Sequence, residues 1–425
     1  MRAAVVGAGY AGLAAAVELA ARGVSVDVFE ASRTLGGRAR AVTLEGLTVD
    51  NGAHILLGAY RETLRLMQLV GVSDKALQRR CLRLDYPGHL RIAAPPLPAP
   101  LHLAWALAAA SGLPMAAKLA ALRFMNRLKA QSFRLPTDTT VSALLANQPA
   151  RLRRYLWEPL CLAALNTPPE TASAQVFLNV LRDSLAAERA ASDLLLPTTD
   201  FSSLFPDPAA RFVEARGGRI RRSCRVGEIT SINGRFQVEA HGLYDRLVLA
   251  VAPQHLPPLL AGLPGIGGIT EQVGRLDYQP IVTCYLAYPI GVRLPFPMVG
   301  ADGGLAQWFF DRGQLSGQPG LIAAVISAHG PHEDLDQESL VARIHAELAA
   351  TMPGTPAPRW GRVIAERRAT FTCRPGMDRP TARTPLPGLV LAGDYVDGDY
   401  PATIEAAVRS GVAAAHLLRD QTPPR

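Results

Sequence analysis

Lysine is almost missing from this chain. Of its 44 basic residues only Lys75, Lys118 and Lys129 are lysines, and none follows position 129. The arginines that carry the rest are dispersed. A net charge of +8 therefore makes no long basic run of the kind that grips nucleic acid, and no nucleic-acid partner is expected. Short groups such as Arg151, Arg153, Arg154 and Arg219, Arg221, Arg222 read as solvated faces, with a mild pull toward anionic lipid headgroups left open. Cysteine is scarce too. Cys81, Cys161, Cys224, Cys284 and Cys373 are odd in number and never form a CxxC pair. That argues against a disulfide framework or a zinc site and fits a reducing cytoplasm. No apolar run reaches the ~20 residues of a spanning helix. The chain opens on a strand and a glycine loop, which leaves no room for a signal peptide, and no internal repeat is seen.

What is plentiful is apolar. Hydrophobic residues make up 48% and charged ones 19%, a composition that suits a large greasy pocket or a membrane-facing patch. Residues 2–6 read as a buried strand, 11–22 as a helix and Val24–Phe29 as a second strand, one βαβ unit. Its turn is Gly7-Ala8-Gly9-Tyr10-Ala11-Gly12. Gly7 permits the tight turn, Gly9 lets the backbone approach a pyrophosphate, and Gly12 lets the helix pack close. The phosphates lie at the helix N-terminus, beside Tyr10 and Ala11. Alone this pattern is weak. Here Glu30, followed by Ala31, ends the next strand, where a carboxylate accepts both ribose hydroxyls and repels a 2′-phosphate. A bound dinucleotide is expected.

Further along, residues 46–70 read as loop and helix, and Arg219–Val226 as a strand pairing with Arg235–Ala240. Leu247–Val251, 278–288 and 320–328 read as strands and Glu338–Met352 as a helix. A last buried strand, Leu389–Ala392, runs into a helix from Thr403 to Leu418. The layout predicts an α/β fold: a nucleotide domain from segments 1–70, 205–255 and 375–425, with a substrate domain of mixed sheet and helices from 71–204 and 256–374.

Shortly after Glu30 stands Leu35-Gly36-Gly37-Arg38-Ala39. In this position it resembles the second fingerprint of the amine oxidase and phytoene desaturase superfamily, where the glycine backbone and the arginine, here Gly37 and Arg38, hold the FAD diphosphate. The resemblance moves the expected nucleotide from NAD to FAD. Leu391-Ala392-Gly393-Asp394, then Pro401 to Ala407, then Ser410-Gly411 is similar to that superfamily's C-terminal motif. It implies that Asp394, after Gly393, bonds the ribityl or phosphate region. The helix opening at Thr403 and Ile404 would point its dipole at the isoalloxazine. Asp50-Asn51-Gly52-Ala53-His54 and the residues to Tyr60 look like the segment of phytoene desaturases that runs beneath the flavin, adding Gly52, Ala53 and His54. The same resemblance places Val226 among the cofactor contacts. It implies a Rossmann-type FAD-binding domain built from discontinuous segments, with an inserted α+β substrate domain.

Trp157-Glu158-Pro159-Leu160 and Leu165-Asn166-Thr167-Pro168-Pro169 look like one branch of the superfamily, the hydroxysqualene dehydroxylases. That implies FAD-dependent reductive dehydroxylation of hydroxysqualene to squalene, with a hydrophobic C30 isoprenoid as substrate; no motif names the electron donor. The alternative is a carotenoid-type desaturase running hydride transfer the other way. A flavin amine oxidase stands further back, because the lysine typical of those enzymes would fall in Tyr278–Cys284 and none is there. An isoprenoid carrier that works without FAD stands back too, because the glycine, Glu30 and Asp394 set is intact.

His54 is the candidate catalytic residue, as the only histidine inside a flavin-adjacent motif. It either protonates a leaving group or hydrogen-bonds the cofactor or backbone. Tyr60, Arg61 and Asp399 are further polar candidates. The apolar stretch from Leu101 to Phe124, with Lys118, Arg123, Arg127 and Lys129 toward its end, reads either as core helices or as a monotopic entrance with Trp105 at the headgroup level. The second reading predicts a cytoplasmic protein held peripherally on the inner membrane.

Overall fold

The computed structural model describes residues 1–420; the last five residues of the expected 375–425 segment lie outside them. Five strands form a wholly parallel sheet, in the spatial order Arg219–Arg221, Ser25–Phe29, Arg2–Val6, Arg246–Leu249, Leu389–Leu391. Arg2–Val6, Arg246–Leu249 and Leu389–Leu391 are short, mostly Val/Leu/Ala runs whose residues are buried on both faces, as a parallel sheet covered by helices requires. The Ala-rich helix Tyr10–Ala21 is almost wholly buried. Its small side chains let the closing helix Ile404–Asp420 cross it closely, so that a Cβ on Gly411 would strike the Ala11 carbonyl oxygen. Strands from the beginning, middle and end of the chain thus present their carboxyl ends on one edge, the edge where open α/β sheets bind ligands.

The second sheet runs Met298–Gly300, Trp308–Asp311, Leu321–Ser327, Tyr278–Ala287, Trp360–Phe371. Every neighbouring pair in it is antiparallel, which corrects the expected mixed sheet. Side chains of Tyr278–Ala287 alternate between two faces. Val282, Cys284 and Leu286 pack into a core with Ile344 and Leu348 of the helix Gln337–Thr351, while Tyr285 joins the large core shared with the nucleotide domain.

A second expectation fails at 219–240. Arg219–Arg221 lies in the parallel sheet, whereas Arg235–Val238 pairs with Ile229–Ile232 and Leu243–Tyr244 in a separate antiparallel sheet. The hairpin turns at Asn233-Gly234, both with positive φ (52° and 75°), the conformation a two-residue turn between twisted strands selects. Glu45-Gly46 (50° and 76°) does the same between Ala41–Leu44 and Leu47–Asp50, so 46–70 begins with a strand rather than a loop. The stretch from Leu101 forms two helices, Leu101–Ala108 and Met115–Ala130. Among the described residues no helix is long and apolar enough to cross a membrane.

Candidate cofactor site and active site

Three glycines in the first turn answer to different neighbours. Gly7 has φ +104°, and a Cβ there would meet the Ala250 carbonyl; a Cβ on Gly12 would strike the Gly7 carbonyl oxygen. Around Gly9 a Cβ would meet nothing nearer than the Gly37 Cα, at 3.9 Å. Gly9 also caps the Tyr10–Ala21 helix without any side-chain bond to its first N–H groups, which leaves that end free for an anion. Gly9 and Gly37 meet backbone to backbone, a Cβ on Gly37 lying 3.3 Å from the Gly9 Cα, and Gly9 also bridges Gly36. Bare glycine backbone at a helix N-terminus suits an anion such as a diphosphate. Tyr10 turns inward, its hydroxyl donating to the Phe201 carbonyl at 3.1 Å, and Ala11 lies under the helix crossing, so only their backbones face this edge.

Glu30 accepts from the N–H groups of Ala8 and Ser32, both at 2.8 Å. It therefore ties the glycine loop to the second strand, and a carboxylate with about four lone-pair sites keeps capacity for ribose hydroxyls. Ala31 is exposed beside it. Val226 is buried in the large core with Phe29. Arg38 joins the two ends of the chain: its guanidinium donates to Asp394 Oδ1 and to the Ala369 carbonyl, each at 2.6 Å. Gly393 N–H donates to Ser410 Oγ at 2.8 Å. Thr403 caps the last helix, accepting from Ala406 N–H at 3.0 Å, with Ile404 half-buried next to it.

The Asp50–His54 segment lies against Arg38, with Asn51 Nδ2 donating to the Arg38 carbonyl at 3.2 Å. His54 Nδ1 lies 2.6 Å from the Gly52 carbonyl. An imidazole whose Nδ1–H donates there presents Nε2 as an acceptor. Burial, with Arg38 nearby, holds the His54 pKa below its ordinary value despite the Gly52 bond, so the ring is neutral at pH 7. Ala53 sits half-buried between Gly52 and His54.

Other candidates lie elsewhere. Arg61 pairs with Glu188 at the surface, and Asp399 with Arg182. Tyr60 packs on the nucleotide-domain core, its pKa raised by burial and the nearby Glu405. Glu405 itself accepts from the Glu62 and Thr63 N–H groups and caps the helix Arg61–Leu69. Sequence reasoning missed two hydroxyls. Thr283 Oγ1 and the Tyr395 hydroxyl are buried without a hydrogen-bond partner. Tyr395 folds back over Gly393, and Thr283 faces Gly52. Asn166, at left-handed φ 46°, steadies that region: it donates to Pro280 O and Thr370 Oγ1 and accepts from Ala328 N–H.

A parallel sheet whose carboxyl edge gathers a glycine turn, a carboxylate at the end of the neighbouring strand and a closing helix has the form of a dinucleotide-binding fold. Residues 10–418 match the model of the flavin containing amine oxidoreductases, and the chain belongs to that family. Within it, the chain is 32% identical to the hydroxysqualene dehydroxylase of Rhodopseudomonas palustris, with 97% of each chain covered. It is 24% identical to the zeta-carotene desaturase of Capsicum annuum, covering 99% of this chain and 81% of that one. An oxidoreductase from Methanosarcina mazei shares the fold, with a TM-score of 0.75 at 16% identity over 98% of this chain and all of that one.

Proposed function

We propose that the chain binds FAD without a covalent link and reductively removes the hydroxyl of hydroxysqualene, giving squalene. The observation that carries this reading is the similarity to a hydroxysqualene dehydroxylase along nearly the whole of both chains, at higher identity than to the desaturase. Gly9, Gly37 and Arg38 would hold the diphosphate, Glu30 the adenosine ribose, and Asp394 the ribityl side. When bound and reduced, the flavin supplies a hydride. The protein's own part is to seat an apolar polyene, keep water out, and help an oxygen leave. Beside Thr283 the second sheet carries Val325, Trp308 and Ile364 in register, a row with no other hydroxyl. The substrate hydroxyl sits on an allylic carbon and is a poor leaving group until it is protonated. His54 is assigned that proton.

The reading also includes a peripheral membrane contact, supported by the exposed apolar residues of the helices Leu101–Ala108 and Met115–Ala130. The deciding experiment is anaerobic incubation of pre-reduced enzyme with hydroxysqualene and, in parallel, of oxidised enzyme with phytoene. Squalene from the first, with nothing from the second, is expected. New double bonds in phytoene, with the alcohol untouched by reduced enzyme, transfer the assignment to a desaturase.

A further inference from the structure

The strand Tyr278–Ala287 of the second sheet carries one polar side chain that the folded protein leaves unsatisfied. Thr283 is fully buried, at 0% exposure, and its Oγ1 has no hydrogen-bond partner. Burying a hydroxyl without a partner is unfavourable, and native structures do it rarely. A threonine in a strand usually finds a partner or is replaced by valine, which has the same shape.

The surroundings indicate what the hydroxyl awaits. A Cβ built on Gly52 would lie 3.4 Å from His54 Cε1 and 3.8 Å from Thr283 Oγ1. The glycine thus leaves a small space with His54 on one side and the Thr283 hydroxyl on another. Gly52 belongs to the segment that touches Arg38, and Arg38 in turn holds Asp394. The space therefore adjoins the proposed flavin site. Within the sheet, the residues in register with Thr283 are Val325, then Trp308, and Ile364, so Thr283 is the single hydroxyl in an apolar row. Along the same face Tyr285 already donates to the Asp50 carbonyl, and Glu366, in register with Ile281, already accepts from Asn51, so Thr283 is the hydroxyl there whose bond is still unmade.

We infer that Thr283 is a substrate-binding residue: its hydroxyl donates to the oxygen of an alcohol-bearing hydrocarbon and seats that oxygen beside His54. This rests on the dehydroxylase reading and adds to it the group that tells the alcohol from the hydrocarbon product. A long polyene that slides along an apolar surface has no other feature to fix which carbon stops at the reacting position. One hydrogen bond supplies that register, and its loss when the oxygen departs favours product release.

The test compares the flavin-loaded wild type with Thr283→Val, which keeps the shape, and Thr283→Ser, which keeps the hydroxyl. Flavin content and visible spectrum establish that each variant is folded. Titration of the flavin absorbance with hydroxysqualene and with squalene then gives the ratio of the two dissociation constants. The wild type is expected to favour the alcohol by about tenfold, the scale of one hydrogen bond. Thr283→Ser should keep the preference, and Thr283→Val should bring the ratio near one and slow turnover while leaving squalene binding unchanged. If Thr283→Val keeps the preference, or a wild type that converts the alcohol binds both ligands alike, the Thr283 assignment is overturned and the dehydroxylase reading stands. A reduced wild type that leaves hydroxysqualene unconverted overturns the reading beneath it.

Discussion

Gly9 and Gly12 share one helical turn, yet they are glycine for different reasons, and the difference can be measured. A Cβ at position 12 collides with the Gly7 carbonyl oxygen inside the protein, whereas at position 9 it comes no nearer than 3.9 Å to the Gly37 Cα, an ordinary contact. Gly9 also has ordinary extended backbone, φ −75° and ψ −178°, which any residue adopts. Gly12→Ala should therefore lower the stability of the apoprotein by about 1–3 kcal/mol. Gly9→Ala should cost about 1 kcal/mol or less, the scale of a poorer N-cap, while FAD affinity falls sharply. Thermal unfolding of flavin-free protein and FAD titration separate the two effects. Equal melting losses in both variants would mean that the space at Gly9 serves packing and not a ligand.

His54 makes a second prediction at this scale, because its depressed pKa fixes the direction of a pH profile. The charged ring is the form that gives up a proton. Its fraction is scarce above a pKa that lies under the ordinary 6.5, and there it falls about tenfold for each pH unit gained. Turnover should rise as pH falls and level off below the pKa. His54→Gln should lose about 10²–10⁴-fold in turnover, the usual worth of a general acid, retain flavin, and show no such rise. A wild-type rate that is flat from pH 5 to 8 would remove His54 from the proton step and leave it as a brace for Gly52.

At the scale of elements, the parallel sheet was legible because burial on both faces writes itself as short, mostly apolar runs. Arg2–Val6, Ser25–Phe29, Arg246–Leu249 and Leu389–Leu391 were each read within a residue or two. Trp360–Phe371 went unread: it is an edge strand that carries Arg362, Glu366, Arg367 and Arg368, and such a charged stretch does not announce a strand. The two tight hairpins had their signal in Asn233-Gly234 and Glu45-Gly46, but the pairing partner of Arg219–Arg221 depends on a contact with residue 27 that no local pattern encodes. The site divides in the same way. Its motifs were visible one at a time, each carried by glycines and an acid at fixed spacing. That Arg38 closes on Asp394, 356 positions away, is a product of topology. Thr283 was invisible for a plainer reason: threonine is an ordinary strand former, and only the absence of a partner in the folded protein marks it out.

For the whole molecule, the question is where a protein with a water-insoluble substrate stands in relation to that substrate. The helices Leu101–Ala108 and Met115–Ala130 turn one side inward, burying Ala106, Ala117, Ala121, Phe124 and Leu128. On the other side they expose Leu101, Trp105 at 60%, Met115 at 66%, Leu119 and Leu122. The inward side answers to the core-helix reading, and the outward side leaves an apolar face on which the membrane proposal rests. From residue 101 to 130 there is no Asp or Glu, while Lys118, Arg123, Arg127 and Lys129 are present, so the segment complements an anionic headgroup layer. Apolar side chains entering the acyl boundary contribute about 2 kcal/mol each, and the cations add a term that salt screens. Binding to vesicles with a share of phosphatidylglycerol should therefore exceed binding to neutral vesicles and weaken, without vanishing, in high salt. Trp105→Asp with Met115→Asp, both on exposed positions, should cut vesicle binding at least tenfold with flavin content unchanged. Leu107 is a poorer choice for such a test, because it packs against the core. Wild-type protein that stays in the supernatant with both kinds of vesicle would show that the apolar side meets something other than lipid.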